Sequence, residues 1–585
     1  MLYSNIPLAQ MVVLQCKNYG ISRIVISPGS RNAPLTLSFL ADPFFKCFSV
    51  VDERAAAFFG LGMAQQTREA VVLVCTSGSA LLNYYPAISE AFYSQIPLVV
   101  LSADRPTYLI DKGYGQTIRQ VGVFQNHIDY TATLKQDASH AKSVYESTMP
   151  QGDKQSQTQI EEYNLSELHF AFKTLLASSR PVHINTPFEE PLYGISAVIS
   201  NTYTPDISKQ NDSFEIAKAA KLWNSAHKIM ILIGVCHPQG ADILTDKLWA
   251  LLAADPRVLI LTETTSNMSH PDCIDSIDNL MAPMESHHNS ENLFKALQPD
   301  LLISFGGAVV SKKVKSFLAK YKPLNHMQLG NELVVNPFFT HFISYSQTAS
   351  VFFNSLLANS KIDYSLNYSY KSEHLVYKKL YKKHIEKYSK QAPFSDFKAF
   401  YLLLKKLPKT SLLQLANSAT IRYAQLFSID PSIRVFCNRG TSGIDGSTAT
   451  AIGASVTSER QTVLITGDLS FFYDSNGLWN QYIPKNFRII LINNQGGGIF
   501  RVLPGKSDSN AFETYFETVH TLESSHLCAL HKIAHTLVDE VHSLESELVN
   551  FFSEGSGPRL LEIKTPRTIN DLVLKNFFKQ LQLSY

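Results

Sequence analysis

The chain has 585 residues, of which 45% are hydrophobic and 17% charged, and its formal net charge is +2. That length suits roughly three or four domains with sizeable cores. The near-neutral balance excludes a broad electrostatic footprint for nucleic acid or an anionic membrane, so a charged ligand must be read by local residues. Cysteines stand at 16, 47, 75, 236, 273, 437 and 528, with no CxxC pair among them. They read as buried thiols in a reducing cytoplasm. The start, MLYSNIPLAQMVVLQC, lacks a basic region before a long apolar core, and no apolar run has membrane-spanning length.

Pro7–Tyr19 carries Leu8, Met11, Val12 and Cys16 at close to helical spacing. Arg23–Ser27 reads as a strand that breaks at Pro28-Gly29; Ser30-Arg31-Asn32 then leads into a helix. Phe48–Val51 is a short strand that meets Asp52-Glu53-Arg54 and an Ala-rich helix. Ala70–Cys75 ends at Thr76-Ser77-Gly78, and Ile96–Ser102 ends at Ala103-Asp104-Arg105-Pro106. This alternation predicts a doubly wound parallel sheet that closes near Val182–Leu192. Within it, His140–Asn164 is polar and Gln-rich and reads as a loop or poorly ordered insertion.

A second α/β unit spans 207–360, with strands at Lys228–Gly234, Val258–Leu261, Leu301–Phe305 and Met327–Gly330. Residues 361–392 are rich in Lys and Tyr and read as a solvated helix or linker. A third α/β unit fills 393–585, with strands at Ser411–Leu415, Arg434–Cys437, Val463–Thr466, Arg488–Ile492 and Arg559–Lys564. The fold class is therefore α/β, with three doubly wound parallel-sheet domains over 1–193, 207–360 and 393–585.

Thr462–Leu503 is the stretch densest in chemistry. One apolar run ends in Gly467-Asp468 and the next in Asn493-Asn494-Gln495-Gly496-Gly497-Gly498, with a segment of helical length between them. In open α/β sheets, ligands bind at the carboxyl ends of strands. Asp468 and Asn494 offer hard oxygens, and the glycines leave backbone groups open. These pieces suit Mg²⁺ bound with a diphosphate. Gly-Asp alone is an ordinary turn; its spacing from Asn-Asn-x-Gly-Gly points to a cofactor.

The stretch resembles the thiamine-diphosphate fingerprint, with Leu469 where the usual third residue is Gly. Ile26–Pro34 (ISPGSRNAP), Asp52-Glu53-Arg54, Ser102–Pro106 (SADRP) and Asn438–Gly446 (NRGTSGIDG) extend the likeness over most of the chain. Together they resemble the thiamine-diphosphate carboligase and decarboxylase family, three α/β domains with the metal motif in the last. Within it they are similar to the branch that serves menaquinone synthesis, which also carries Leu after Gly-Asp. The resemblance implies thiamine diphosphate with Mg²⁺ (or Mn²⁺), and 2-oxoglutarate and isochorismate as substrates. 2-Oxoglutarate would lose CO₂ and its succinyl unit would add 1,4 to isochorismate. It also implies a homodimer or dimer of dimers with the active site at the subunit interface.

On residue type alone Asp52-Glu53 caps a helix. The resemblance instead makes Glu53 the catalytic carboxylate against the aminopyrimidine ring, reaching a cofactor held by a neighbouring subunit. Metal ligands implied are Asp468, Asn494 and Gly496. Cofactor contacts implied are Ile444, Leu469, Ser470, Gly497, Ile499, Phe500 and Leu503, although Ile444, Ile499, Phe500 and Leu503 read by spacing as ordinary core residues. For the substrate carboxylates it implies Arg31, Arg105, Lys313, Arg422 and Arg439, with Ser30, Gln116 and Ser418 as polar contacts. Each cation taken singly is a surface ion pair worth little; as a set they offer charge-assisted forks to dicarboxylates. Lys312-Lys313 leaves the register open by one, and Gly115 stands where the family usually has a second amide or similar group. The histidines sit at no metal spacing. Two other functions share this architecture: a different carboligase or 2-oxoacid decarboxylase, and a catalytically silent binding subunit.

Overall fold

Runs such as Val71–Cys75 (VVLVC), Ile229–Ile233 (IMILI) and Arg488–Asn493 (RIILIN) bury every residue. Strands of that kind need cover on both faces, which parallel sheets with flanking helices provide. The computed structural model describes residues 1–197, 216–330, 336–361, 368–502 and 509–582, and within them it holds three six-stranded parallel sheets. The described chain divides into two compact units. One holds the first sheet together with Gly440–Glu459 and Tyr473–Phe487; the other holds the second and third sheets.

The first sheet contains β1 (Arg23–Ile26), β2 (Lys46–Ser49), β3 (Val71–Cys75), β4 (Leu98–Asp104), β5 (Tyr130–Thr133) and β6 (Val182–Pro187), in the order β2-β1-β3-β4-β6-β5. The second contains β7 (Ile229–Ile233), β8 (Val258–Leu261), β9 (Cys273–Ile274), β10 (Leu301–Phe305), β11 (Asn325–Leu329) and β12 (Ile343–Tyr345), in the order β9-β8-β7-β10-β11-β12. The third contains β13 (Leu412–Leu415), β14 (Arg434–Phe436), β15 (Thr462–Gly467), β16 (Arg488–Asn493), β17 (Ala534–Val538) and β18 (Arg559–Lys564), in the order β14-β13-β15-β16-β18-β17. The first and third sheets thus share one topology. Each reverses its winding beside its first strand, at β1/β3 and at β13/β15, and such switch points open a crevice at the carboxyl edge. β15 and β16 pair in register from Val463↔Arg488 to Gly467↔Ile492, so Asp468 and Asn494 leave the sheet side by side.

Three sequence expectations need correction. His140–Asn164 is not simply a loop: Lys142–Thr148 is helical, and a long helix spans Gln157–Ser178. Its start is a capping box, in which Ser156 and Gln159 each accept the other's backbone N–H. The glutamines and asparagines that suggested disorder are spent on bonds: Gln157 Oε1 accepts from Ala138 and Ser139, and Asn164 bonds both N–H and C=O of Lys135. The Lys-rich segment is likewise more than a solvated linker. Tyr370–Gln391 is one helix, with Tyr370 packed in the core of the second sheet and Tyr381, Ile385 and Tyr388 in that of the third. Tyr370 donates to Leu297 O at 2.8 Å, Tyr388 to Val573 O at 2.8 Å, and Lys378 to Pro271 O at 3.0 Å. The segment between β15 and β16 is also shorter in helix than its length suggests: one turn and a half over Asp468–Tyr473, then a 3₁₀ turn at Ser475–Leu478.

In the first unit, the helix Glu53–Thr67 packs closely on the helix Ser447–Ser455. A Cβ added at Gly62 would lie 2.0 Å from Thr450 O, and one at Gly453 would lie 1.9 Å from Phe59 O. Only glycine permits that approach, and the approach fixes the helix that begins with Glu53. Gly453→Val should cost about 1–3 kcal/mol as the helices are forced apart. A thermal melt should show the loss, whereas Gly557→Ala, in open space, should leave the melt unchanged.

Candidate active site

The carboxyl edge of the third sheet carries the proposed metal ligands. Asp468 is buried, and its two oxygens accept from Leu469 N at 2.6 Å and Gly496 N at 3.0 Å. That second bond ties the end of β15 to the glycine turn after β16. Asn494 is 6% exposed; its Nδ2 donates to Asp396 Oδ2 at 2.9 Å, while its Oδ1 is buried with no hydrogen-bond partner among the described residues. Gly496 O accepts from Gly498 N at 3.0 Å and keeps a second lone pair. A carboxylate, an orphaned amide oxygen and a backbone carbonyl form an all-oxygen donor set, which fits a hard cation such as Mg²⁺. Among the described residues no cluster of three or more His, Cys, Asp or Glu could hold a metal alone. A cation here would need oxygens from a ligand to complete its shell, as Mg²⁺ at phosphates usually does.

The glycines serve close packing. A Cβ at Gly496 would meet Glu517 O at 2.7 Å, and one at Gly497 would meet the Phe500 ring at 3.0 Å. Glu517 O accepts from Gly497 N at 2.6 Å. The Glu517 carboxylate pairs with Arg501 and, at 2.7 Å, with Arg567, so the turn is backed by a buried ion network. Leu469, Ile499 and Phe500 are half-buried beside it, and Ser470 is buried. Leu503 lies outside the described residues. In the first unit, Ile444 is 36% exposed and is no core isoleucine.

Also in the first unit, the helix cap falls to Asp52, whose Oδ1 accepts from Ala55 N at 3.0 Å. Glu53 is left half-buried at the first helical position. Its negative charge adds to burial in raising the Cys75 thiol and the Tyr84 hydroxyl above their ordinary values. Arg31, which follows β1, is 4% exposed and donates to Phe188 O and Glu190 Oε1, each at 3.0 Å. Burial lowers its pKa, and so does the charge of Arg105 close by. The adjacent Asp104 carboxyl is pushed up to about 6 by burial, against hydrogen bonds from Asn185 and Arg105 N. Ser30 is exposed beside Arg31. Gln116 is exposed with φ +57°, and its backbone passes 3.3 Å from where a Cβ on Gly78 would stand. The buried amide of that loop is Gln120, which holds Gly78 N at 2.9 Å and Asn185 at 2.8 Å.

In the second unit, Ser418 follows β13 with φ +63° and ψ −123°, a conformation costing a non-glycine residue about 1–3 kcal/mol. Arg422 lies four residues on. Burial and the charge of Arg439 lower its pKa, and Asp278 opposes them. Arg439 donates to Asn417 Oδ1 at 2.7 Å. Lys313 is tied to Glu285, Lys312 is exposed, and Lys315 is the lysine whose charge is felt together with Glu263, Arg439 and Arg422. The Nε atoms of Arg31, Arg105 and Arg422 are buried without a hydrogen-bond partner among the described residues.

Several of these residues escape sequence reading. Glu263 is buried and accepts from Val310 N and Ser311 N, each at 2.7 Å. Asp396 holds Asn494, and His520 Nε2 lies 3.4 Å from Asp468 Oδ2. All are distant in sequence from what they hold. The only local signal is Ser395, whose hydroxyl caps the helix that begins at Asp396.

The oxygen donors at the carboxyl edge of the third sheet would suit a phosphate-bearing cofactor held with a hard cation, and comparison with known proteins gives the class. Residues 6–132 match the family model described as thiamine pyrophosphate enzyme, N-terminal TPP binding domain, and residues 418–563 match the corresponding C-terminal TPP binding domain. Three similar proteins, from Flavobacterium johnsoniae, Flavobacterium psychrophilum and Christiangramia forsetii, are 46%, 47% and 47% identical. Each alignment covers 99% of this chain and 99–100% of the relative. All three are named 2-succinyl-5-enolpyruvyl-6-hydroxy-3-cyclohexene-1-carboxylate synthase, and this chain belongs to that family of thiamine-diphosphate-dependent enzymes.

Burial raises Glu263 from 4.5 to about 7, Asp278 adds to the rise, and the two backbone donors and Arg439 oppose it. Between those values the unfolded chain releases a proton that the folded chain keeps. Stability from this group therefore falls as pH rises from 4.5 to 7 and is level above. The melting temperature of wild type, taken relative to Glu263→Gln, should drop across that window and flatten beyond it.

Proposed function

We propose that this chain decarboxylates 2-oxoglutarate and adds the succinyl unit 1,4 to isochorismate, giving the product for which its relatives are named, in menaquinone biosynthesis. Full-length identity of 46–47% to those synthases carries the reading. Thiamine diphosphate, when bound with Mg²⁺ or Mn²⁺, supplies the electron sink that lets a 2-oxo acid lose CO₂. Asp468, Asn494 and Gly496 would hold the metal; Leu469, Ser470, Gly497, Ile499, Phe500, Leu503 and Ile444 would hold the organic part.

Glu53 would keep a proton at the aminopyrimidine ring and pass it back and forth. Spared from capping by Asp52, it is available for that work. A partner copy of the chain would supply this Glu53, so the working form is a homodimer or a dimer of dimers. Arg31, Arg105, Lys313, Arg422 and Arg439 would bind the substrate carboxylates, with Ser30, Gln116 and Ser418 as polar contacts. The Nε donors of Arg31, Arg105 and Arg422, buried without partners among the described residues, support that assignment, since each such donor costs about 1–3 kcal/mol until an acceptor meets it. None of the seven cysteines forms a disulfide, which agrees with a cytoplasmic setting. Among the described residues no helix is long and apolar enough to cross a membrane.

The test is turnover of 2-oxoglutarate with ThDP and Mg²⁺, with and without isochorismate. The adduct should form only when both substrates are present. Release of succinic semialdehyde in both cases, without adduct, would mark a decarboxylase instead. Glu53→Gln should retain ThDP in calorimetry yet lower turnover by about 10²–10⁴-fold, the usual worth of a positioned proton donor or acceptor. Near-normal turnover would take Glu53 out of the role.

A further inference from the structure

Asn494 can serve a cation only through its amide oxygen. An amide has two ends, and a half-turn about its last bond would offer an N–H₂ group, which repels a metal ion. Something must choose between them. Asn494 Nδ2 donates to Asp396 Oδ2 at 2.9 Å, and Asn494 Oδ1 is left buried and without a partner among the described residues. Asp396 is itself buried and fixed: its Oδ1 accepts from Thr565 Oγ1 at 2.6 Å, and its backbone N donates to Asn570 Oδ1 at 2.8 Å. Both carboxylate oxygens thus act as acceptors. The flipped amide would set oxygen against oxygen with no proton between them. That arrangement costs one hydrogen bond to a charged group, about 1.5–3 kcal/mol, and adds the repulsion of two acceptors.

We infer that Asp396, with Thr565 behind it, is a positioning residue that holds the Asn494 amide with its oxygen toward the metal–diphosphate group. The inference rests on the reading that Asn494 is a metal ligand. It assigns a role to two residues 98 and 169 positions apart from their partners along the chain. Supports behind a ligand commonly change metal affinity about 10–100-fold when removed.

The test is a Mn²⁺ titration of the full-length protein in saturating ThDP, read as free Mn²⁺ by electron paramagnetic resonance. Asp396→Asn is nearly isosteric, but its new N–H₂ can donate to Asn494 Oδ1 and turn the amide round. It should weaken Mn²⁺ binding by about tenfold or more. Thr565→Val, which removes the hydroxyl from Asp396, should weaken it in the same direction, and Thr565→Ser should restore wild-type affinity. A purely structural role would lower the melting temperature and leave the affinity of the folded protein alone. Mn²⁺ affinity within twofold of wild type in both Asp396→Asn and Thr565→Val would overturn the inference. Wild type that binds no Mn²⁺ with ThDP, or Asp468→Ala that binds it normally, would instead overturn the metal site on which the inference rests.

Discussion

A carboxylate that accepts two hydrogen bonds can hold two pieces of backbone or side chain in one place, and this chain uses that device repeatedly. Asp468 joins the end of β15 to the turn after β16 by accepting from Leu469 N and Gly496 N. Asp396 ties Asn494 to Thr565. Glu263 holds Val310 N and Ser311 N at the start of the helix Lys312–Lys320. In the first unit, buried Glu90 accepts from Gly440 N and Thr441 N at 2.7 Å each, and so anchors the loop that carries Ile444. Parallel strands send their following loops to one edge, but they do not shape those loops. The carboxylates do so. Burial makes each of these bonds stronger than it would be in water, and leaving a donor unpaired there would be correspondingly expensive.

The cost of that device falls on charge. Asp396 and Asp468 repel each other, and the Asp396 carboxyl is raised to about 6, chiefly by burial. A divalent cation at the carboxyl edge offsets that repulsion, whereas a neutral ligand would not. The same reasoning, with the sign reversed, applies to the arginines. Arg31 lies near Arg105, and Arg422 near Arg439; in each case the neighbour adds to burial in lowering the guanidinium pKa.

Much of this architecture is legible from sequence. Strands covered on both faces are unbroken apolar runs, so β8, β10 and β18 fall where the sequence places them. The edge strands β12 and β17 are harder. β12 has three residues, and β17 (AHTLV) has a half-exposed pattern with no apolar run. The Gln-rich helix was hidden because residues that favour disorder in bulk can also cap a helix and bind loop backbone, as Ser156 and Gln157 do. At the site, strand ends reveal Asp468, Asn494 and the glycines, since a polar break after an apolar run is a local signal. Thr565, Glu263 and His520 carry none, and Asp396 only the cap signal of Ser395 before it. Their roles come from tertiary contacts 47 or more residues apart in the chain.

The arginine pairs carry a cost that the fold does not need. Exposed ion pairs are worth about 0–1 kcal/mol, so a surface arginine without a partner costs little and implies little. Here the Nε atoms of Arg31, Arg105 and Arg422 are buried and without a partner among the described residues, each at about 1–3 kcal/mol. Two guanidinium groups near each other add Coulomb repulsion that burial strengthens. Ser418 adds backbone strain at the same strand end as Arg422. A fold gains nothing from these features by itself, because well-packed apolar residues of similar size would be as stable or more so. At either pair taken by itself, a bound carboxylate would satisfy such a donor and offset the repulsion between the two guanidinium groups.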